Sequence, residues 1–364
     1  MAAAAWVEGC IKEFLFGYQS GCEGGQEDLR RCGRVGWSEA VEKLIDVLAR
    51  FERIGEQRSK EDSSIPAQSK QAHGRLLPNR HPNRDFFIAD LVEWAVKDDR
   101  HSMEHPMFSL SKKPDRKIRR YDHNGNTVVI APGAYGLATI WDKDILIYAV
   151  SQLTAAVNQD RKDVSPTVRI TAYDLLVSTN RHTGGGDYDQ LQKAFERLSG
   201  TRITTDIRTN GVRQREGFGI IDSWKIVEKN SADGRMVAIE LRLSDWLYNA
   251  IVGLEVLTIN RDYFRLSRAL ERRLYELARK HCGHQIKWAV GLEVLYKKSG
   301  STSPLKRFRL EIKNIAKVNN LPDYWVCFDV EADQVMFSVK EPKKPIISIP
   351  KGREQPQPEL QNGR

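Results

Sequence analysis

The 364-residue sequence contains no uninterrupted apolar run of about 18 residues, so no transmembrane helix is predicted. No cationic segment leads the brief apolar start Met1–Val7, and Glu8, Lys12 and Glu13 break the apolar character directly after it, which argues against a secretory signal. Cysteine is scarce. Cys10, Cys22, Cys32, Cys282 and Cys327 are odd in number and lack close pairs, which excludes a disulfide framework and fits a reduced, cytoplasmic compartment. Familiar catalytic patterns are missing too. There is no Gly-x-x-x-x-Gly-Lys-[Ser/Thr] loop for nucleotide hydrolysis, and no His-hydrophobic-His triplet to hold a metal beside a tyrosine nucleophile. His101 and His105 are four apart, but no Glu follows His101 and Pro106 ends the run. His281-Cys-Gly-His284 lacks a partner pair, so helix-end packing is expected there rather than a metal. Asp98-Asp99 and Asp142/Asp144 sit at charged helix ends, where capping or surface roles are the default. The expectation is a chain that is not an enzyme and carries no metal or cofactor.

What the sequence does have is positive charge, and it is concentrated. The formal net charge is +9. Residues 1–75 hold 11 basic and 12 acidic side chains, whereas residues 261–320 hold 15 basic and 5 acidic. That one stretch matches the whole excess of the chain, a pattern that suits a polyanionic partner better than an even spread would.

Five regions are expected. Residues 1–54 form a helical extension, with Val41, Leu44, Ile45, Leu48 and Phe51 at helical spacing. Residues 55–83 are polar, proline-broken and aperiodic, and read as a flexible linker. Residues 84–255 and 256–340 form two folded domains, and the proline-rich tail 341–364 is expected to be disordered. The two domains repeat one element order. The first pass is a helix over Trp141–Asn158, a strand Val168–Ile170, a helix capped by Thr171, the turn Thr183–Gly186, a third helix capped by Asp187, and antiparallel strands over Thr201–Arg208, Gly217–Val227 and Met236–Leu243. The second is a helix over Asp262–His281, a strand Gln285–Trp288, a helix through Lys297, a third helix from Pro304 capped by Ser303, and a hairpin of Tyr324–Val330 and Gln334–Lys340. Helix, strand, helix, helix, hairpin is the order of a winged helix. The predicted class is α+β, with two tandem winged helices and small antiparallel wings. In that fold the third helix is the usual major-groove reader.

On the second third helix, the stripe Leu305, Phe308, Ile312, Ile315 and Ala316 faces inward. That leaves Lys306, Arg307, Leu310, Lys313, Asn314 and Lys317 outward, with Arg309 at the edge. Arg and Lys can donate to guanine, Asn can pair with adenine, and the lysines can equally meet phosphates. Arg265, Arg268, Arg272 and Arg273 crowd the preceding helix and are expected to add to the same cationic face. A merely solvated face is the alternative. The first third helix, with core Leu191, Ala194, Phe195 and Leu198, offers a mixed set: Tyr188, Gln192, Lys193, Glu196 and Arg197. Its hairpin adds Arg202, Arg208, Arg213 and Arg215 for phosphate contact. The run Lys112–Arg120 has six basic residues in nine and reads as a loop entering a strand, with phosphate contact and a merely solvated loop as the two alternatives for it.

Four strings carry a resemblance. Asp85-Phe-Phe-Ile-Ala-Asp90, Ser102-Met-Glu-His-Pro-Met-Phe-Ser-Leu-Ser-Lys112, Arg119-Arg-Tyr-Asp-His-Asn-Gly125 and Gly136-Leu-Ala-Thr-Ile-Trp-Asp-Lys-Asp-Ile-Leu-Ile-Tyr148 resemble the replication initiator protein A family of bacterial plasmids. The resemblance spans about Arg84 to Lys340 and leaves out residues 1–75. It implies an initiator that binds repeated sites (iterons) in double-stranded DNA at a plasmid origin. It also implies main iteron contacts from the C-terminal winged helix, and dimerisation with further DNA contact from the N-terminal one. Monomers would initiate and dimers repress. An initiator without an ATPase motif would spend binding free energy on opening an A·T-rich tract, then recruit the host initiator and the replicative helicase. The competing expectations are a winged-helix transcriptional repressor and, further off, a nuclease or relaxase.

Overall fold

A computed structural model describes residues 76–81, 95–123, 126–206, 216–228, 236–283 and 285–340. The extension expected over residues 1–54 and the tail expected over 341–364 lie outside them, as does most of the expected linker. The part of that linker that is described is tied down. The Leu77 amide donates to the Arg265 carbonyl (2.8 Å), and the Arg80 amide donates to the Asn180 side chain (2.9 Å).

The chain begins with β1 (Lys97–Asp99) and α1 (Arg100–Glu104), whose cap is the Asp99 carboxylate accepting from the amides of His101 and Ser102. A hairpin comes next, β2 (Arg119–His123) and β3 (Asn126–Ala131). Then come α2 (Lys143–Asn158), β4 (Thr167–Ile170), α3 (Ala172–Ser178) and α4 (Gly185–Gly200). Four strands succeed them: β5 (Arg202–Thr205), β6 (Glu216–Gly219), β7 (Ile221–Glu228) and β8 (Met236–Leu243). After α5 (Asp245–Val252) and β9 (Val256–Thr258), a short 3-10 turn (Arg261–Arg265) leads into α6 (Ala269–His281). The last elements are β10 (Lys287–Gly291), α7 (Leu292–Ser299), α8 (Leu305–Val318), β11 (Tyr324–Asp329) and β12 (Gln334–Val339).

The same unit is built twice. α2-β4-α3-α4 closes with the β7–β8 hairpin, and α6-β10-α7-α8 closes with the β11–β12 hairpin. Each unit has a three-stranded antiparallel sheet in which the first strand pairs with the last, in the orders β4-β8-β7 and β10-β12-β11. Both third helices bury the stripe that their spacing predicts: Leu191, Ala194, Phe195 and Leu198 on α4, and Phe308, Ile312, Ile315 and Ala316 on α8. The fold is α+β, with two tandem winged helices.

Several local expectations need correction. The strand expected from Thr201 to Arg208 does not belong to the wing. As β5 it joins a separate four-stranded sheet, β2-β3-β5-β6. The strand expected from Gly217 breaks at Ile220 into β6 and β7, which lie in different sheets. The bend there needs Gly219, because a Cβ would fall 2.7 Å from the Ile221 carbonyl oxygen. Asp187 is not a cap, since α4 starts two residues earlier and places it in the first turn, where a carboxylate favours the helix dipole. Ser303 does not cap α8 either. Pro304 holds the cap position, and its carbonyl accepts from the amides of Arg307 and Phe308. The helix expected from Asp262 is interrupted at 266–268, where the Arg272 guanidinium, donating to the carbonyls of Leu266 and Phe264, replaces helical amide donors.

Each unit has its own core, but the second core borrows from the first unit. Val96, Met103 and Ile147, which precede or lie within α1 and α2, pack among Leu270, Leu274, Phe308 and Ile312. β9 also returns to pair with β1.

Candidate nucleic-acid interface

α8 is held at three points. At its start, the Tyr296 hydroxyl donates to the Ser303 carbonyl (2.8 Å). In its middle, Arg309 makes a two-pronged pair with Asp333 in the β11–β12 turn (3.1 and 2.7 Å). At its end, Asn319 in the left-handed conformation (φ 56°) accepts from the Val326 amide and donates to the Val326 carbonyl. The helix is therefore tied to α7 at its start and to its own hairpin at its middle and end.

The outward row is the one that helical projection gives. Lys306, Arg307, Leu310, Lys313, Asn314 and Lys317 are all exposed. Leu310 is 58% exposed in the middle of the row. Lys306, Lys313 and Lys317 have no carboxylate partner among the described residues. Arg307 touches Glu311 one turn on (3.2 Å). That pair is solvent-exposed, so it competes weakly with a better acceptor. Chemically the row is a set of donors around an apolar centre, the combination that suits base edges, a thymine methyl and phosphates. Among the residues expected to bind, Arg309 differs in that both prongs of its guanidinium meet the Asp333 carboxylate.

α4 presents less. Gln192 and Lys193 are exposed. Arg197 is not available as expected, because both prongs of its guanidinium bind Asp142 (2.7 Å each) at the start of α2. Arg208, Arg213 and Arg215 lie outside the described residues.

A model of the replication initiator protein A family matches residues 97–326. A protein of Wigglesworthia glossinidia brevipalpis, provisionally named a replication protein, is 41% identical over 257 residues, covering 70% of this chain and 93% of its own. The chain belongs to the replication initiator protein A family. Among solved structures, the initiator is similar to domains 2 and 3 of RctB (TM-score 0.47, 12% identity, 65% of this chain and 95% of that one). It is also similar to the Pi initiator protein in complex with iteron DNA (TM-score 0.38, 15% identity, 59% and 98%).

The initiator spends part of its positive charge internally. Arg272 and Arg273, expected on the cationic face, are buried at the junction of the two units. Arg272 pairs with Asp144 of α2 (2.6 Å). Arg273 pairs with Glu276 (3.0 Å) and donates to the carbonyls of Ser102, Met103 and Lys298. Lys143 bridges Asp98 (2.7 Å) and Glu276 (3.1 Å), and the Tyr263 hydroxyl donates to Glu276 (2.7 Å). Burial pushes the Asp98 carboxyl up to about 7, against the pull of the Lys143 ammonium. Burial would also lower Lys143, but Asp98 and Glu276 hold its ammonium above the usual value. Nearby, burial would raise Glu104, yet hydrogen bonds and charge from His281 and Lys298 hold it well below the usual carboxylate range.

Two side chains of the initiator's hairpin escaped the sequence reading. Trp325 is half-exposed on β11, and the Lys340 ammonium lies 4.6 Å above its ring. Strand alternation signals it, since Tyr324, Val326 and Phe328 face the core and Trp325 must face away. His101 pairs with Glu255 (2.6 Å), and His281 stacks on Trp288 (4.2 Å between ring centres). Cys282 is buried, which pushes its thiol up to about 12. Among the described residues no cluster of His, Cys, Asp and Glu could hold a metal ion, and no helix is long and apolar enough to cross a membrane.

Proposed function

We propose that this initiator binds double-stranded DNA at repeated sites of a replication origin, with α8 lying in the major groove and the β11–β12 hairpin beside it as the wing. The observation that carries this reading is the exposed row Lys306, Arg307, Leu310, Lys313, Asn314 and Lys317 on a helix fastened at three points. A reading element needs that combination, because a donor must be held within a fraction of an ångström of the base edge it selects. Several copies on adjacent repeats bend the DNA and spend binding free energy on opening an A·T-rich tract, with no hydrolytic step of their own. Protein contacts then bring in the host initiator and the replicative helicase. Exchange between monomer and dimer sets whether the origin fires or is held. The setting is the cytoplasm.

Two experiments test this. A plasmid carrying only this gene and its flanking DNA replicates if the chain is an initiator, and fails to replicate if it is only a repressor. On a supercoiled plasmid carrying the same DNA, permanganate reactivity at thymines rises in the A·T-rich block when the protein is added. Reactivity that the protein leaves unchanged rejects the opening role.

A further inference from the structure

The basic run Lys112–Arg120 is not a loose loop. The Asp115 carboxylate accepts from the Lys117 amide (3.1 Å) and from the Arg119 guanidinium, and its backbone carbonyl accepts from the Leu137 amide (2.8 Å). Gly136, at φ +88°, lets the chain approach so closely that a Cβ there would lie 3.1 Å from the Asp115 amide nitrogen. Ser109 and Ser111 accept in turn from the amides of Ser111 and Lys113. The one acidic residue of the run is thereby consumed within it. Lys112, Lys113, Arg116 and Lys117 all remain exposed, without a carboxylate partner among the described residues.

Position gives this platform a meaning. Arg119, at the start of β2, donates to the Gly300 carbonyl (3.3 Å) in the turn that precedes α8. Gly300 abuts the same region, since a Cβ on it would fall 2.5 Å from Pro106 and 3.4 Å from the Tyr121 hydroxyl. Leu305 lies five positions after Gly300, a reach of about 18 Å at most. Phosphates recur about every 3.4 Å along each strand.

We infer that residues 112–117 form a second, sequence-blind binding element, a preformed clamp for the phosphate backbone of the duplex that α8 reads. The inference rests on the proposed role of α8. A backbone already held in place loses little conformational freedom when its four cations meet phosphates, and the contact adds affinity and salt dependence without adding base choice.

The test uses the full chain and two duplexes, one cut from the repeats flanking the gene and one of scrambled sequence. In the variant Lys112→Gln/Lys113→Gln/Arg116→Gln/Lys117→Gln, the plot of log K against log salt becomes shallower by about 2–4, at about 0.9 for each phosphate that is no longer neutralised. Affinity falls by the same factor on both duplexes, so their ratio is unchanged. Arg307→Ala/Lys313→Ala lowers that ratio instead. The charge-keeping variant Lys112→Arg/Lys113→Arg/Lys117→Arg retains the wild-type slope, and a melting curve checks that each variant is folded. An unchanged slope in the glutamine variant, with the α8 variant still impaired, overturns the clamp and leaves α8 as the reader. A glutamine variant that changes the ratio also overturns it, because the run would then be reading bases. If the α8 variant alters neither affinity nor ratio, the reading of α8 falls, and the placement of the clamp falls with it.

Discussion

The two third helices share one scaffold and have opposite surfaces. α4 and α8 each bury an apolar stripe at helical spacing, and their units carry three-stranded sheets of matching order. Yet α4 hands its best cation to Asp142, while Lys306, Lys313 and Lys317 of α8 meet no carboxylate among the described residues. The contrast repeats inside the second unit, where Arg272 and Arg273 of α6 are buried and paired and the lysines of α8 are neither. Packing fixes where a cation sits, and its partners decide whether it has anything left to offer a ligand.

That contrast can be broken experimentally, most forcefully at the buried end. Arg273→Ala takes one of three partners from Glu276 and removes the shared donor of the Ser102, Met103 and Lys298 carbonyls, and a loss of about 3–5 kcal/mol in unfolding free energy is expected. Lys313→Ala leaves stability within about 0.5 kcal/mol, as exposed substitutions usually do. Denaturant titration of both variants checks this, and equal losses would erase the distinction.

The same buried cluster makes stability depend on pH. Asp98 holds its proton more tightly in the fold than in the unfolded chain, because burial raises its carboxyl to about 7. Its contribution is therefore full below the usual carboxylate range and is lost as pH rises through about 7. Thermal melts from pH 4 to 8 should show the wild type losing ground to Asp98→Asn across that interval. A constant difference would mean that Asp98 does not titrate there.

On the exposed side, Arg307→Ala with Lys313→Ala should weaken specific binding by about 1–3 kcal/mol for each base-reading contact removed. Gln192→Ala with Lys193→Ala on α4 should cost less, and gel shifts with equal effects would make the helices equivalent readers. The smallest effect concerns Leu310. If Leu310 packs on a thymine as proposed, replacing that base with deoxyuridine removes one methyl contact, worth about 1 kcal/mol. A scan of single replacements finds the position, and Leu310→Ala should be blind to it.

The outward row of α8 was legible because it needs only helical periodicity and a core stripe, both local properties. The repeated element order was legible for the same reason. The fates of the arginines were not. Arg272 finds Asp144 at a separation of 128 residues, Arg273 finds Ser102 at 171, and Arg197 finds Asp142 at 55. No count of charge within a window contains those partners. The strand β5 was visible as a strand but not as a member of another sheet, since pairing with β3 depends on a hairpin more than seventy residues earlier. The mounting of α8 through Asn319 and Arg309 was equally hidden, because neither residue type announces which backbone or carboxylate it will meet.

Glu276 is gripped from both units at once, by Lys143 of α2 and by Arg273 of its own helix. To swing one winged helix away from the other would pull Lys143 from Glu276 and Arg272 from Asp144, breaking two ion pairs in a greasy seam. The pair should consequently behave as a caliper with a locked jaw rather than two beads on a string. Adding half a turn of DNA between the stretches touched by each unit would then be felt as a misfit that no internal slack absorbs.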